Sequence, residues 1–99
     1  MTKIKKLADE IKDEVCSAKE YAEKYVEYKA QGDSTWANRF MEMAKDELKH
    51  ASYLHELAVS EIQKISSVYT PPEEMKSKWD TLHKEYVEDA SMVKMMLSL

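Results

Sequence analysis

A glutamate and a Glu-x-x-His pair are the residues of this sequence best suited to chemistry. Glu14 falls in the first apolar segment, and Glu47 and His50 fall in the second. Acids and imidazoles on an apolar helix face are costly unless something satisfies them, and metal ions commonly do so. Glu47 and His50 are about 60° apart around a helix, so both side chains face the same way. The pattern predicts a metal site formed by Glu14, Glu47 and His50.

Apolar residues that recur every three or four positions predict an all-α fold of three long helices, running up, down and up. We expect these helices at about residues 3–30, 34–67 and 71–97. Gly32, the only glycine, stands where the end of a helix favours positive φ. Asp33 or Ser34 can then cap the second helix.

The third helix has its own start signal in Thr70-Pro71-Pro72-Glu73. Threonine is a frequent N-cap, proline is favoured at the first helical position, and a glutamate suits the third. We therefore predict Thr70 as the cap and Pro71 as the first residue of the helix.

The turn near Gly32 also sets which residues face each other across the first two helices. Residues whose numbers add up to about 65 should lie at the same height. The midpoint of Glu47 and His50 is then within one turn of Glu14. We expect all three side chains on the apolar stripes, in the interior, with Trp36, Phe40, Met43, Leu54 and Leu57 on the same face of the second helix. The alternative is that the three polar side chains lie on the edge of the stripe, solvated or paired.

Composition narrows the class of protein. The 99 residues suit a single domain spanning 1–99. A net charge of -4 argues against a nucleic-acid partner. No apolar run approaches the ~18 residues of a membrane span, and the first six residues lack a signal-peptide core. Cys16 is the only cysteine, which excludes an internal disulfide, and we expect a reduced, cytoplasmic setting.

Two segments resemble the metal helices of the ferritin-like superfamily, especially its rubrerythrin-like branch. Residues 14–21 are similar to the first metal helix, with Glu14, a small residue three positions on and Tyr21 seven positions on. Residues 44–54 are similar to the second, which carries Glu-x-x-His-Ala. The resemblance extends over roughly residues 4–66.

The resemblance implies a role for each of these residues. Glu14 would be a terminal ligand, Glu47 a bridging carboxylate and His50 a terminal imidazole, with Tyr21 as a neighbour of the ligands. It implies a di-iron cofactor, with manganese as the alternative. The implied activities are Fe(II) oxidation, or reduction of peroxide or O₂.

The sequence also departs from that family. A complete ferritin-like bundle has four helices and a second Glu-x-x-His, whereas the third helix here has no such motif. The simplest completion is a homodimer, or a higher even oligomer, as in encapsulated ferritins. The site would then be a four-helix bundle made of two helical hairpins, with the third helix outside it or exchanged. The alternatives are a non-enzymatic interaction module with a structural or vestigial metal site, and a plain three-helix scaffold.

Three further polar residues have less defined roles. Asp89 is the acid on the stripe of the third helix, where we expect it at the rim of the bundle. The alternative is that it is an extra ligand, or accepts the ring N–H of His50. His55 and the Asp80-x-x-His83 pair flank the stripes, so we expect them on the surface. The alternative is that they gather at another level of the bundle, about two turns away.

Overall fold

Three helices account for nearly all of the chain. The computed structural model describes residues 2–99 and places α1 at Thr2–Ala30, α2 at Ser34–Ser66 and α3 at Glu73–Leu97. No strand occurs in these residues, and the helices pack into a rod of 55 × 17 × 17 Å. The predicted all-α class is confirmed, and every helix end lies within two residues of its predicted position. None of the three described helices is apolar enough over a sufficient length to cross a membrane.

The turn between α1 and α2 forms as the sequence predicts. Gly32 has φ +78°, and its N–H donates to the Lys29 carbonyl at 3.0 Å. The Asp33 N–H donates to the Tyr28 carbonyl, also at 3.0 Å. These two bonds form a Schellman motif, which satisfies carbonyls that a helix end leaves free. Asp33 then caps α2, because its carboxylate accepts from the Trp36 N–H at 3.2 Å.

The prediction for the start of α3 is wrong by two residues. Thr70 is not the cap and Pro71 is not helical; the helix begins at Glu73, with Pro72 in the cap position. A residue that precedes a proline is disfavoured in the α region, which explains why the helix does not begin at Pro71, directly before Pro72. Pro72 has ψ 143° and no side-chain cap. The acids Glu73 and Glu74 in the first turn complement the positive end of the helix dipole instead.

A seam of alanines joins α1 to α2. The fully buried residues of α2 recur every seven positions: Ala37, Ala44, Ala51 and Ala58. The buried residues of α1 that face this side alternate in steps of three and four: Ile4, Ala8, Ile11, Val15, Ala18, Ala22 and Tyr25. Alanine has no atoms beyond Cβ, so the helix axes can approach toward the short end of the usual ~8–10 Å range. The seven-residue repeat keeps this alanine seam facing α1 along its whole length.

The large apolar residues of α2 lie beside the alanine seam, which corrects the sequence-based expectation. Trp36, Met43 and Leu57 are 51%, 38% and 43% exposed rather than buried in the core. Each directly precedes a seam alanine and so lies about 100° around the helix from it. The apolar surface of α2 is therefore wider than α1 can cover.

Helix α3 covers one side of the hairpin formed by α1 and α2. It runs along a groove of α1 that includes Cys16, and it buries Leu82 and Val93 against the hairpin. It meets α2 at His55, whose ring centroid lies 5.2 Å from that of Trp79. The first hairpin thus forms most of the core, and α3 adds a third side to it.

The opposite side of the hairpin is not covered by α3. Cys16 and His55 lie on the α3 side. Glu14 is about 200° around α1 from Cys16, and His50 is about 140° around α2 from His55. We call the uncovered side the open face. Its residues are Glu14, Tyr21, Tyr28, Trp36, Phe40, Met43, Glu47, His50 and Leu57.

Replacing Ala51 with leucine should force α1 and α2 apart. We expect the free energy of unfolding to fall by about 1–3 kcal/mol, the usual cost of overpacking a core, as measured by urea denaturation. Ser60→Leu, at an exposed position of the same helix, is the control and should change it by less than about 0.5 kcal/mol. Equal effects of the two substitutions would contradict a close alanine seam.

Candidate metal centre

Glu14, Glu47 and His50 meet on the open face. One possible ligand atom from each lies within 4.8 Å of the other two, and Nδ1 of His50 is 3.6 Å from Oε2 of Glu14. Within residues 2–99 they form the one group of three or more His, Cys, Asp or Glu side chains close enough to hold a metal ion. The structure therefore brings together the three residues that the sequence selects. We refer to them as the triad.

The alanine seam positions the triad. Glu14 directly precedes the buried Val15, and His50 directly precedes the buried Ala51. Each ligand is therefore fixed at the rim of the seam, about 100° from its centre. Glu47 lies one turn before Ala51 and close to the same rim. Because neither helix can rotate without exposing its seam residue, the ligands are held at a common edge.

The antiparallel register brings the triad to one height. The Glu14–His50 contact is accompanied by an ion pair between Nζ of Lys3 and Oε1 of Glu61, at 3.2 Å. In both pairs the residue numbers add up to just below the predicted value of about 65. The predicted register is confirmed.

The triad lies at the edge of the hairpin and not in its interior, contrary to expectation. The Glu14 side chain is 28% exposed and that of His50 is 55% exposed, and Glu47 is also partly exposed. Alanines occupy the centre of the interface, so residues one position away emerge at the rim. An ion can reach the triad directly from solvent, and the outer side of the site is open to a further partner.

The two carboxyl groups of the triad are held together against their mutual repulsion. A hydrogen bond with the Glu14 carboxyl raises the pKa of Glu47 above its ordinary value, and partial burial and the Glu14 charge act in the same direction. His50 acts in the opposite direction. A divalent cation beside both groups would favour their ionised forms and remove their repulsion.

The donor set suits a first-row transition metal. Two carboxylates and one imidazole are ligands for which iron and manganese are well matched. Ligand atoms on opposite sides of a metal, each at about 2.0–2.2 Å, are about 4.0–4.4 Å apart. The separations within the triad reach 4.8 Å. Small side-chain rotations are therefore enough to close the three ligands around one ion.

The two residues named as possible neighbours of the ligands lie in different places. Tyr21 is on the open face, half-buried, and its ring stacks on Phe40 with the centroids 6.3 Å apart. It is two turns along α1 from Glu14, on the same side. Asp89 lines the groove between α1 and α3 together with Val15 and Cys16. The structure therefore keeps Tyr21 on the side of the triad and leaves Asp89 on the other side of the hairpin.

A second polar cluster corresponds to the alternative that the sequence left open for His55 and His83. His55 and His83 come within hydrogen-bond distance, with Nε2 of His55 2.8 Å from Nδ1 of His83. Each lies just outside the apolar stripe of its helix, which is why the stripes assign both to the surface. The signal that could have found the pair is on α3, where Trp79, His83 and Tyr86 form one helical face opposite His55.

No protein-family model, curated protein or solved structure matches this chain. The ferritin-like resemblance therefore depends on the residues of the two metal helices and remains a prediction. What the geometry adds is independent of any relative: two carboxylates and an imidazole converge on one uncovered face.

In metal-free protein, replacing Glu47 with glutamine should raise the melting temperature at pH 7. The raised pKa means that ionised Glu47 is less favourable in the folded than in the unfolded chain, so it costs stability above its folded pKa. The gain should shrink as the pH falls through the folded pKa toward the ordinary value of 4.5. Thermal unfolding in a chelating buffer measures both effects.

The matched control for this change is Glu42→Gln, at an exposed position of the same helix. It should alter the free energy of unfolding by less than about 0.5 kcal/mol at either pH. If Glu47→Gln instead lowers the melting temperature at pH 7, the two carboxyl groups do not repel each other in the folded protein.

Proposed function

We propose that this chain is one half of a ferritin-like di-iron, or di-manganese, protein whose site is shared across a homodimer. Its activity would be oxidation of Fe(II), or reduction of peroxide or O₂. The observation that carries the proposal is the convergence of Glu14, Glu47 and His50 on a face that α3 leaves uncovered.

The number of ligands favours a second copy of the chain. One triad offers three side chains to a metal, which leaves much of the coordination sphere unfilled. A two-fold axis through the open face would supply four carboxylates and two imidazoles. Such a set holds two metals about 3.5–4 Å apart in di-iron carboxylate bundles. The dimer would also restore the four-helix arrangement around the site, with α3 of each chain on the outside.

The apolar residues around the triad support the same arrangement. Trp36, Met43 and Leu57 are each more than a third exposed and flank the triad along α2, beside the half-buried Phe40. Exposed apolar residues beside a polar cluster are typical of an interaction surface, although α3 also carries exposed apolar residues at Val87, Met92 and Met95. A two-fold contact would bury this surface against its own copy and shield the triad from bulk water.

The chain contributes fixed ligands and a shaped surrounding. Glu14 and His50 are tied to the rim of the alanine seam, so their positions depend on a rigid contact. Glu47, whose carboxyl lies close to that of Glu14, would be the bridging carboxylate that the ferritin-like resemblance implies. Bound iron would supply the electrons for reduction of the oxidant. Tyr21 and Phe40 would form the apolar wall at one end of the site.

The alternative is a non-enzymatic dimerisation module in which a metal only joins the subunits, or is no longer bound. The exposed apolar residues of the open face favour this alternative, because they can pair without any metal. The two functions differ in turnover. An enzyme consumes oxidant repeatedly, whereas a structural site binds metal once and is then inert.

Replacing Glu47 should strongly slow the oxidation of Fe(II) by the protein. Wild-type protein given Fe(II) anaerobically and then O₂ or peroxide should form Fe(III) well above the buffer rate, as followed by absorbance. Glu47→Ala should lower this rate by at least about 10–100-fold, since changes even to the partners of metal ligands cost that much. Glu42→Ala is the control and should keep the wild-type rate. The same rate in both variants would disprove the site.

A charge on the open face should separate the subunits. Leu57 lies two turns from His50, so Leu57→Lys would place an unpaired cation in the interface without touching the triad. Sedimentation should show dimers for the wild type and mainly monomers for this variant. Val87→Lys, at a similarly exposed position on α3, is the control. Dissociation by Val87→Lys alone would place the interface on the other side of the molecule.

A further inference from the structure

His55 and His83 form a second site for ligand chemistry, apart from the triad. Nε2 of His55 lies 2.8 Å from Nδ1 of His83, and the ring centroids are 5.0 Å apart. The two residues belong to α2 and α3, which makes this pair a polar contact between those helices. His55 is on the α3 side of α2, about 140° around the helix from His50. The pair and the triad therefore lie on different sides of the hairpin.

Aromatic neighbours fix the orientation of the pair. The His55 ring lies between Trp79 and Tyr86, with centroid distances of 5.2 and 4.9 Å, and is nearly parallel to the Tyr86 ring. Trp79 also lies 6.4 Å from His83. His55 is half-buried and His83 is exposed. The ring nitrogens are thus held in place on one side and open to solvent on the other.

The separation of the two nitrogens matches that of neighbouring ligands on one metal. Imidazole nitrogens bind divalent transition metals at about 2.0–2.1 Å, so two of them at the right angle of a square-planar Ni²⁺ or Cu²⁺ site are about 2.9 Å apart. The observed distance of 2.8 Å is close to this value.

We propose that His55 and His83 together bind a divalent transition metal of the class that prefers imidazole, such as Ni²⁺, Cu²⁺ or Zn²⁺, and that the ion fastens α3 to α2. Solvent completes its coordination on the exposed side of His83. This preference follows the affinity of imidazole for these ions, and it differs from the carboxylate-rich triad.

The position of the pair gives the ion a structural effect. α3 packs mainly against α1, and the His55–His83 contact is its main polar link to α2 within the described residues. In the unfolded chain the two rings are apart and cannot bind one ion together. An ion that binds both rings in the folded protein therefore stabilises the fold by mass action. It would hold α3 on its side of the hairpin and leave the open face free.

Nickel titration of variants tests this site. The double substitution Glu47→Ala/His50→Ala first removes the triad, which is necessary because its carboxylates and imidazole also suit Ni²⁺. In that background NiCl₂ at about ten times its dissociation constant should raise the melting temperature by roughly 5–10 °C, with a calorimetric stoichiometry of one Ni²⁺ per chain. Adding His83→Ala, at an exposed position, should abolish both the rise and the binding, and so should adding His55→Gln.

The outcomes separate this site from the proposed iron site. A rise that survives the addition of His83→Ala or His55→Gln to the background without the triad would overturn the proposal. A background without the triad that binds no Ni²⁺ would also overturn it, and binding by the wild type alone would assign nickel to the triad. Iron oxidation should be unchanged in His83→Ala, so a failure of either proposal does not imply a failure of the other.

Discussion

The close contact between α1 and α2 along the alanine seam is the constraint on which the rest of this molecule depends. Alanines every seven residues on α2 pack against alternating small and branched residues on α1. Any larger side chain in the seam would separate the helices, and any rotation would expose it. Because Glu14 and His50 each directly precede a seam residue, the same contact that forms the core also sets the distance between the ligands. A change in the packing of the hairpin would therefore also change the distance between Glu14 and His50.

A seam of small residues has a second consequence. It leaves the large apolar residues of α2 at the sides, where α3 covers one flank and the other stays open. The triad lies on the open flank among Trp36, Met43 and Leu57, and the neighbouring Glu14 carboxyl raises the pKa of Glu47. An exposed apolar surface and a pair of repelling acids are both unfavourable in an isolated chain. In the proposed assembly a metal ion would relieve the repulsion of the acids, and a second hairpin would cover the apolar surface.

The sequence predicts the local structure well and the placement of side chains less well. The helix ends, the positive φ of Gly32 and the cap at Asp33 follow from local preferences. The register follows from the short turn, so the meeting of Glu14, Glu47 and His50 was predictable. The sequence did not predict that alanines, rather than larger residues, form the interface. Periodicity alone cannot tell the centre of a wide apolar stripe from its edge. The position of α3 also depends on which residues of α2 form the interface with α1. The His55–His83 contact and the place of Asp89 could therefore not be predicted either.

The central claim is that the triad is half of a site completed by a second copy of the chain. Native mass measurement after anaerobic loading with Fe(II) tests it most directly, because it counts chains and metals in the same particle. If the site is shared, we expect a particle of two chains with two irons, and no iron retained on single chains. A single chain that carries one iron would contradict the shared site, and a dimer that binds none would contradict the metal.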